Sequence, residues 1–342
     1  MSDRRPTIND VAAHAKVSKS TVSLVLRKSP LVKRETRETV HASMAALGYV
    51  RNRAAATLRG SGTGLIGLII NDLRNPFFTE FAASVQMALA DRGFATVIAN
   101  CDEDPGIQNQ TIQSMLEHDV AGLVISPCYG DGDEGFRAIA RAGVPALQVL
   151  RRTPARAHPL PFFSHDYASG SLMAARHLLE QGIHNVAFVG GLEGRDITAE
   201  RMSGYLSEMQ AMGHATVVRP GPSTRAFGRE IVQDLLTTAP EVNAAICFND
   251  LVALGMYAGL GEAGRTPGGD FFIIGFDDIE EARLAYPPLS TIRCDVTLFG
   301  ALSAKRLLDM IAHKAPQDPT ELLPVELVAR ASSHKPRETP RQ

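Results

Sequence analysis

The chain has 342 residues, enough for two or three domains, and its 44% apolar and 21% charged residues are typical of a globular protein. The longest apolar stretch, Leu65–Ile70, is far shorter than the roughly 20 residues of a membrane helix. The opening residues, Met-Ser-Asp-Arg-Arg, precede no apolar signal segment, so we expect a cytoplasmic protein without membrane contact. The four cysteines form no Cys-x-x-Cys pair, so we expect neither a metal site nor a disulfide framework.

The net charge of -2 conceals two oppositely charged parts. Residues 1–60 contain 12 lysines and arginines against 4 acidic residues, whereas the remainder contains 23 against 33. A small basic module on an acidic body is typical of a protein that contacts phosphates at one end, because cations that meet DNA release its bound counterions. A solvated basic tail is the alternative interpretation.

Two short helices are predicted within the first 26 residues. The apolar residues of the first helix recur at positions i, i+3, i+4 and i+7, and they are Ile8, Val11, Ala12 and Ala15. Residues 16–17 interrupt this pattern, and Ser18 is a suitable cap for a second helix. The residues that the second helix would bury are Val22, Val25 and Leu26. This spacing predicts a helix-turn-helix.

The second helix of such a motif enters the major groove of DNA with its N-terminus first. Lys19, Ser20 and Thr21 are therefore predicted to reach base edges and phosphates. A third helix, at about 35–47 and ended by Gly48, completes a three-helix core. The sequence thus predicts an all-helical DNA-binding headpiece over residues 1–50.

The N-terminal residues resemble the headpiece of the lac-repressor/gal-repressor family. The matching runs are Thr7-Ile8-Asn9-Asp10-Val11-Ala12, Val17-Ser18-Lys19-Ser20-Thr21-Val22-Ser23, Thr36-Arg37, Leu47-Gly48-Tyr49 and Asn52-Arg53-Ala54-Ala55. The resemblance implies a hinge helix within a linker at 51–61, which folds on operator DNA and wedges Leu58 into the minor groove. The DNA-binding residues it implies are Thr7, Lys19, Ser20, Thr21, Leu24, Asn52, Arg53, Ala55 and Leu58.

Two residues depart from the family pattern. Leu24 stands where many members have an arginine that reads guanine, and Lys33 stands where a serine or threonine usually caps the third helix. A leucine can contact a thymine methyl group but cannot donate a hydrogen bond to guanine. The departures therefore affect which operator sequence is recognised more than whether an operator is bound.

After the glycine-rich joint at 60–64, short apolar runs alternate with helical patterns. This rhythm predicts parallel sheets with helices on both faces, and it occurs twice. We expect a body at 62–342 made of two doubly wound α/β lobes, the first at about 62–160 with 293–325 and the second at about 161–292 with 326–333. Since open parallel sheets bind ligands beyond the carboxyl ends of their strands, a ligand cleft is expected between the lobes.

The family resemblance extends from Leu65 to about Arg330, and it implies a fold like that of periplasmic sugar-binding proteins. Its landmarks are Asn75-Pro76-Phe77-Phe78, Asn249-Asp250, Ile274-Gly275-Phe276-Asp277-Asp278 and Pro288-Leu289-Ser290-Thr291-Ile292. It places Arg201 first among the effector-binding residues, because a guanidinium suits sugar hydroxyls, carboxylates and phosphates alike. The whole candidate set is Phe78, Arg151, Asp166, Arg195, Arg201, Asn249 and Asp277.

Five of these candidates have an alternative structural role, which for Arg195 is that of a surface loop residue. Arg201 would otherwise form a salt bridge, Asn249 and Asp277 would be turn or cap residues, and Phe78 would belong to the core. Sugar-binding members often carry an aspartate where this chain has Leu150. The loss of that carboxylate, together with three retained arginines, favours an anionic or acid-bearing ligand.

An enzyme is the first competing class, but the sequence has no Gly-Lys-Ser/Thr phosphate loop, no His-Glu-x-x-His and no complete dinucleotide fingerprint. We therefore expect no catalysis and no cofactor. A sugar-binding protein without a regulatory role is the second alternative, and the basic headpiece argues against it. In a third alternative the chain belongs to the same family but its effector is a purine-type co-repressor. The sequence does not determine whether the effector strengthens or weakens operator binding.

Two-fold symmetric repressors read pseudo-palindromic DNA with one headpiece on each half-site. We expect the same arrangement here, a homodimer on a double-stranded operator whose affinity is set by a small effector, a sugar or sugar derivative. The tail at 334–342 has no apolar heptads, so no tetramer-forming coiled coil is expected. The sequence thus predicts an allosteric transcription regulator, most simply a repressor.

Overall fold

A computed structural model describes residues 6–26, 29–49, 64–130, 133–152, 160–313 and 319–334. The chain divides into two compact units, residues 1–63 and residues 64–342. Within the described ranges, no helix is both long enough and apolar enough to cross a membrane.

The N-terminal unit is a three-helix bundle. Its helices are α1 (Ile8–His14), α2 (Lys19–Leu26) and α3 (Arg34–Leu47). Their core consists of the buried residues Val11, Ala12, Ala15, Val22, Val25, Val32 and Val40. The Ser18 hydroxyl accepts the Thr21 amide at 3.1 Å at the start of α2, and Gly48 ends α3 with a left-handed φ of 62°. The predicted helical headpiece is confirmed.

The predicted hinge falls outside the described residues. Four predicted DNA-binding residues, Asn52, Arg53, Ala55 and Leu58, lie in this part of the chain. Their roles remain predictions.

The C-terminal unit contains two six-stranded sheets flanked by helices. Its strands are β1 (Leu65–Ile70), β2 (Ala95–Asn100), β3 (Gly122–Ile125), β4 (Ala146–Val149), β5 (Phe162–His165), β6 (Val186–Val189), β7 (Val217–Arg219), β8 (Ala244–Cys247), β9 (Phe272–Asp277), β10 (Ser290–Arg293), β11 (Thr320–Leu323) and β12 (Glu326–Val328). Its helices are α4 (Pro76–Ala90), α5 (Pro105–Glu117), α6 (Asp133–Ala142), α7 (Tyr167–Glu180), α8 (Asp196–Ala211), α9 (Arg225–Thr238), α10 (Asp250–Glu262), α11 (Glu280–Leu284) and α12 (Val296–Ile311). A 3₁₀ turn at Ala331–Ser333 follows the last strand.

The first sheet has the order β11-β5-β4-β3-β1-β2 and is parallel throughout. The second has the order β12-β10-β9-β8-β6-β7, in which only β12 runs antiparallel to its neighbour. The central strands are buried on both faces because helices cover each side of a doubly wound sheet. The predicted pair of parallel-sheet lobes is confirmed.

The boundary between the lobes differs from the prediction. Strand β5 pairs with β4 and β11 in the first sheet, so the first lobe extends to about residue 165 instead of 160. A short apolar run carries no information about which sheet it joins, because both sheets need the same kind of strand. The chain passes between the lobes three times, after β5, after β10 and between β11 and β12.

The sequence pattern does not predict helix α6. Its start is rich in glycine and aspartate, which is typical of a loop. Phe136 and Ile139, one helical turn apart, are nevertheless buried against the first sheet.

Candidate functional site

In the N-terminal unit, one face of α2 is buried and another is exposed. Val22 and Val25 are buried in the core, whereas Lys19, Ser20 and Leu24 are exposed. The predicted base-reading side chains therefore lie away from the core. This is the placement that a recognition helix requires.

The hydroxyl groups at the start of α2 bond with one another. The Ser18 oxygen lies 2.8 Å from the hydroxyls of both Ser20 and Thr21. Thr7 has a similar local role, because its amide and hydroxyl both donate to the Asp10 carboxylate at 2.7 Å.

Helix α3 begins at Arg34 without a capping side chain, since its N-cap residue, Lys33, makes no such hydrogen bond. Arg37 supports the preceding turn instead, and its guanidinium donates to the Ser29 carbonyl at 3.1 Å and to the Val32 carbonyl at 3.3 Å. The departure at position 33 is therefore compatible with the three-helix fold.

In the C-terminal unit, a cavity of about 280 Å³ lies between the two lobes at the carboxyl ends of the strands. Its lining from the first lobe and the first crossing is Asp72, Arg74, Asn75, Phe77, Phe78, Glu103, Tyr129, Leu150, Arg151 and Tyr167. Its lining from the second lobe is Leu192, Arg195, Ile197, Thr198, Arg201, Pro222, Ser223, Thr224, Phe248, Asn249 and Asp277. Both lobes thus contribute polar and aromatic groups to one cavity.

Six of the seven predicted effector-binding residues line this cavity: Phe78, Arg151, Arg195, Arg201, Asn249 and Asp277. The seventh, Asp166, is not among the lining residues. Its carboxylate caps α7 by accepting the Ser169 amide at 3.1 Å and the Ser169 hydroxyl at 2.6 Å. Asp166 therefore acts in helix capping in this structure.

Arg201 is buried in the wall of the cavity. Its guanidinium donates to the Phe248 carbonyl and to the Asp277 carboxylate, the latter at 3.1 Å. Its Cζ atom also lies 4.4 to 4.8 Å from the ring centroids of Tyr167, Phe248 and Phe276. Burial is the largest single influence on the pKa of Arg201 and lowers it, but Asp277, Tyr167 and Cys294 together outweigh burial and raise that pKa. The guanidinium is therefore a permanent cation.

Asp277 lies at the end of β9, where its φ is 116°, and it lines the cavity. Burial raises the pKa of Asp277 to about 6, although the charge of Arg201 and hydrogen bonds from Arg201 and Asn75 oppose the shift. Near neutral pH the carboxylate is ionised and paired with Arg201. Together the two groups offer a ligand hydroxyl both a donor and an acceptor.

Asn249 and Phe78 have structural roles while they line the cavity. The Asn249 side chain caps α10 by accepting the Val252 amide at 2.9 Å, and it donates to the Ser223 carbonyl at 3.4 Å. Phe78 packs edge to face against Phe77, with ring centroids 5.6 Å apart. Both alternative roles that the sequence left open are therefore present, alongside the position on the cavity.

Tyr129 connects the predicted arginines of the two lobes. Arg151 binds both carboxylate oxygens of Glu103 at 2.8 Å and lies over the Tyr129 ring, 4.5 Å from its centroid. Arg195, from the second lobe, contacts the same ring at 4.6 Å. Such cation–π contacts are worth about 0.5–2 kcal/mol each. Tyr129 is thus a direct bridge between the lobes.

Tyr129 and Thr198 are among the polar lining residues that sequence reasoning missed. The hydroxyl oxygens of Tyr129 and Thr198 are buried with no hydrogen-bond partner within the described part of the chain, and the same holds for Nε of Arg201. Burial raises the pKa of Tyr129 to about 12, so its hydroxyl keeps the proton it can donate. Because an unpaired buried polar atom costs free energy, the three atoms in the cavity wall are available for hydrogen bonds to a ligand.

Among the residues that the structure describes, no group of three or more His, Cys, Asp or Glu side chains is arranged to hold a metal ion. The arginines and hydroxyls of the cavity are instead suited to binding hydroxylated or anionic organic molecules.

The chain is similar to known regulators along nearly its whole length. Residues 7–52 match the model of the lacI family of bacterial regulatory proteins, and residues 175–333 match that of a periplasmic binding protein-like domain. The lactose operon repressor of Escherichia coli (strain K12) is 32% identical over 337 residues, which cover 96% of this chain and 91% of that protein.

Solved structures give the same result. The lac repressor dimer bound to operator and the anti-inducer ONPF has a TM-score of 0.85 at 28% identity, over 96% of this chain and 99% of that chain. The complex of the transcriptional regulator CelR with cellobiose has a TM-score of 0.71 at 28% identity, over 96% of this chain and 100% of that chain. From the headpiece, the two lobes and these similarities together, it follows that the chain belongs to the lacI family of bacterial regulatory proteins and is a DNA-binding transcription regulator, not an enzyme.

Proposed function

We propose that this regulator represses transcription in the cytoplasm and that a small polyhydroxylated molecule, a sugar or sugar derivative, sets its operator affinity. The observation that supports the proposal is a cavity between the lobes whose buried polar atoms lack partners in the described chain. Its volume of about 280 Å³ is at the lower end of the range for small-molecule sites. A ligand of monosaccharide size fits such a cavity better than an oligosaccharide.

Within the cavity, Arg201 and Asp277 bind hydroxyl groups of the ligand. The pair presents a donor and an acceptor on one side, and the Thr198 hydroxyl lies one helical turn before Arg201. Asn249, Arg151 and Phe78 complete the contacts, the last through the face or edge of its ring.

The exposed face of α2 binds the operator. Lys19 contacts phosphate, while Ser20, Thr21 and Leu24 face the base edges in the major groove. Leu24 offers only an apolar contact, which favours a thymine methyl group over guanine. Asn52, Arg53, Ala55 and Leu58 extend the interface into the minor groove.

Two copies of the chain act together on a pseudo-palindromic operator. Ligand binding favours one relative arrangement of the two lobes in each copy, and this arrangement changes how well two headpieces fit two half-sites. The coupling is reciprocal, so operator DNA changes ligand affinity by the same factor that ligand changes operator affinity.

The test is a fluorescence-anisotropy titration of the purified chain against fragments of its own upstream region at fixed salt. The titration is repeated with pooled neutral sugars, sugar acids and purines. Selective binding that one sugar pool weakens would support an inducible repressor, and strengthening would indicate a co-repressor. Binding that only purines change would replace the sugar by a purine-type co-repressor. Binding no tighter than to random DNA in every pool would contradict the proposal.

A further inference from the structure

We infer that the effector carries an anionic group, a carboxylate or a phosphate, and that Arg195 binds it. The inference rests on the proposed ligand site between the lobes and specifies the chemistry of its ligand. It depends on the balance and the pairing of charges around the cavity.

The cavity lining has an excess of positive charge. Its four arginines are Arg74, Arg151, Arg195 and Arg201, and its three carboxylates are Asp72, Glu103 and Asp277. Helices add to this potential, because α4, α8, α9 and α10 all begin at residues beside or within the lining, and helix N-termini carry partial positive charge. A ligand with a negative charge would neutralise the excess.

Three of the four arginines already have acidic partners. Arg74 pairs with Asp72 at 2.8 Å and also with Asp102. Arg151 pairs with Glu103 at 2.8 Å, and Arg201 pairs with Asp277 at 3.1 Å.

Arg195 differs from the other three. Its guanidinium lies over the Tyr129 ring, and in the described ranges of the chain no carboxylate lies within ion-pair distance of it. An arginine in a ligand cavity without a counter-charge is suited to bind a carboxylate or phosphate through two parallel hydrogen bonds.

A second observation points to a ligand at the same place. Thr198 is 6% exposed and lies one turn after Arg195 at the start of α8, and its hydroxyl has no partner in the described structure. The buried Tyr129 hydroxyl, on the ring that Arg195 contacts, also lacks one. Hydroxyls and a guanidinium are groups from which a bound anion accepts hydrogen bonds.

The two ends of the cavity therefore differ in chemistry. At the Arg201 end, the Asp277 carboxylate repels an anion and accepts hydrogen bonds from neutral hydroxyls. At the Arg195 end, the Glu103 carboxylate is already bound to Arg151, and Arg195 itself has no carboxylate within ion-pair distance in the described chain. The ligand that satisfies both ends is a hydroxylated molecule with a single acidic group, such as a sugar acid or a sugar phosphate.

The experiment measures ligand affinity of the full-length protein by isothermal titration calorimetry with matched compounds. Galactose is compared with galacturonate. Glucose is compared with glucuronate, gluconate and glucose 6-phosphate. The tightest ligand is expected to be an acid that binds at least about tenfold more tightly than its neutral parent, because a charge-assisted hydrogen bond contributes that much. The uronates and the phosphate distinguish a carboxylate from a phosphate.

Arg195→Gln should remove this preference for the acid while changing the affinity for the neutral parent less than about threefold. Arg74→Gln is the matched control, since Arg74 also lines the cavity but is paired with carboxylates, and it should keep the preference. Thermal denaturation of both variants establishes that they are folded.

Three results would overturn the inference. A neutral sugar that binds as tightly as its acid would exclude the anionic class while leaving the proposed sugar effector intact. An acid preference that survives in Arg195→Gln would place the anion elsewhere. If no compound of either kind binds but a purine does, the proposed sugar effector fails, and the inference about its charge fails with it.

Discussion

Arg201 and Asp277 form an ion pair at 3.1 Å with side chains that are only 6% and 4% exposed. The pair joins the first half of α8 to the end of β9, two elements that are 76 residues apart in the chain. Burying two charges costs several kcal/mol per ion, and their mutual attraction offsets this cost only while both are present. Removal of either partner should therefore destabilise the second lobe, in addition to any effect on ligand binding.

Replacement of Arg201 should affect both ligand response and stability. Arg201→Ala should abolish the effect of ligand on operator binding while leaving operator binding itself intact. It should also lower the free energy of unfolding by about 3–5 kcal/mol, because Asp277 becomes an unpaired buried charge. Anisotropy titration measures the first effect and urea denaturation the second.

Arg176→Ala is the matched control for this variant. Arg176 pairs with Glu208 at 3.0 Å, but its side chain is about half exposed, so solvent screens the pair and the loss of stability should be smaller than in Arg201→Ala. A full ligand response in Arg201→Ala would show that Arg201 does not bind the ligand.

Two glycines of α10 should respond oppositely to alanine. A Cβ atom on Gly255 would lie 2.1 Å from the Arg225 carbonyl oxygen, so Gly255→Ala must push α9 and α10 apart at a cost of about 1–3 kcal/mol. Gly261 has open space around its Cα, and Gly261→Ala should stabilise the helix by about 0.5–1 kcal/mol. Chemical denaturation measures both, and equal effects would contradict the close packing of the two helices.

The stability of the body should fall in mild acid because of His165. Its ring is buried against Phe299, Tyr167 and Phe77, and neither ring nitrogen has a hydrogen-bond partner in the described structure. Burial, followed by the positive charge of Arg201, lowers the pKa of His165 to about 3. The unfolded chain binds a proton below about pH 6.5 but the folded chain does not, so each pH unit lower costs up to about 1.4 kcal/mol.

His165→Phe should flatten this acid dependence between pH 6.5 and 4.5, as measured by thermal denaturation across that range. The exposed His184 provides the control, and His184→Asn should leave the steep dependence in place. An unchanged slope in His165→Phe would show that other groups cause the acid sensitivity.

Two residues of α2 should affect operator binding in different ways. Lys19→Ala should weaken binding to all sequences and reduce the slope of log affinity against log salt by about 1, because one phosphate contact is lost. Leu24→Ala should leave the salt slope unchanged and alter base preference at a single position of each half-site. Titrations at several salt concentrations against operator and single-base variants separate the two. A change in salt slope from Leu24→Ala would contradict its assignment to base contact.

Local patterns were sufficient to predict the headpiece. The spacing of Val11, Val22 and Val25 predicted the core of the helix-turn-helix, because helical periodicity is a property of neighbouring residues. The alternation of strands and helices likewise predicted two α/β lobes. These features depend on interactions within a few turns or between consecutive elements.

Local patterns could not predict which sheet β5 joins, nor could they predict the role of Asp166. The strand joins the first sheet through β4 and β11, and the latter lies more than 150 residues further along the chain. Asp166 follows a strand as the ligand candidates do, but its carboxylate is used by the first turn of α7. Sequence position alone does not distinguish a cap from a ligand contact.

What the sequence by itself determined is the family, the helix-turn-helix, the two-lobed body and six of the residues that line its cavity. Only the tertiary structure decided that Arg201 is paired with Asp277, that Tyr129 contacts arginines of both lobes, and that Arg195 has no acidic partner in the described chain. The physical reason is distance. Helical periodicity and strand length are properties of adjacent residues, whereas the pairing and burial of charges depend on which strand ends the sheets bring together.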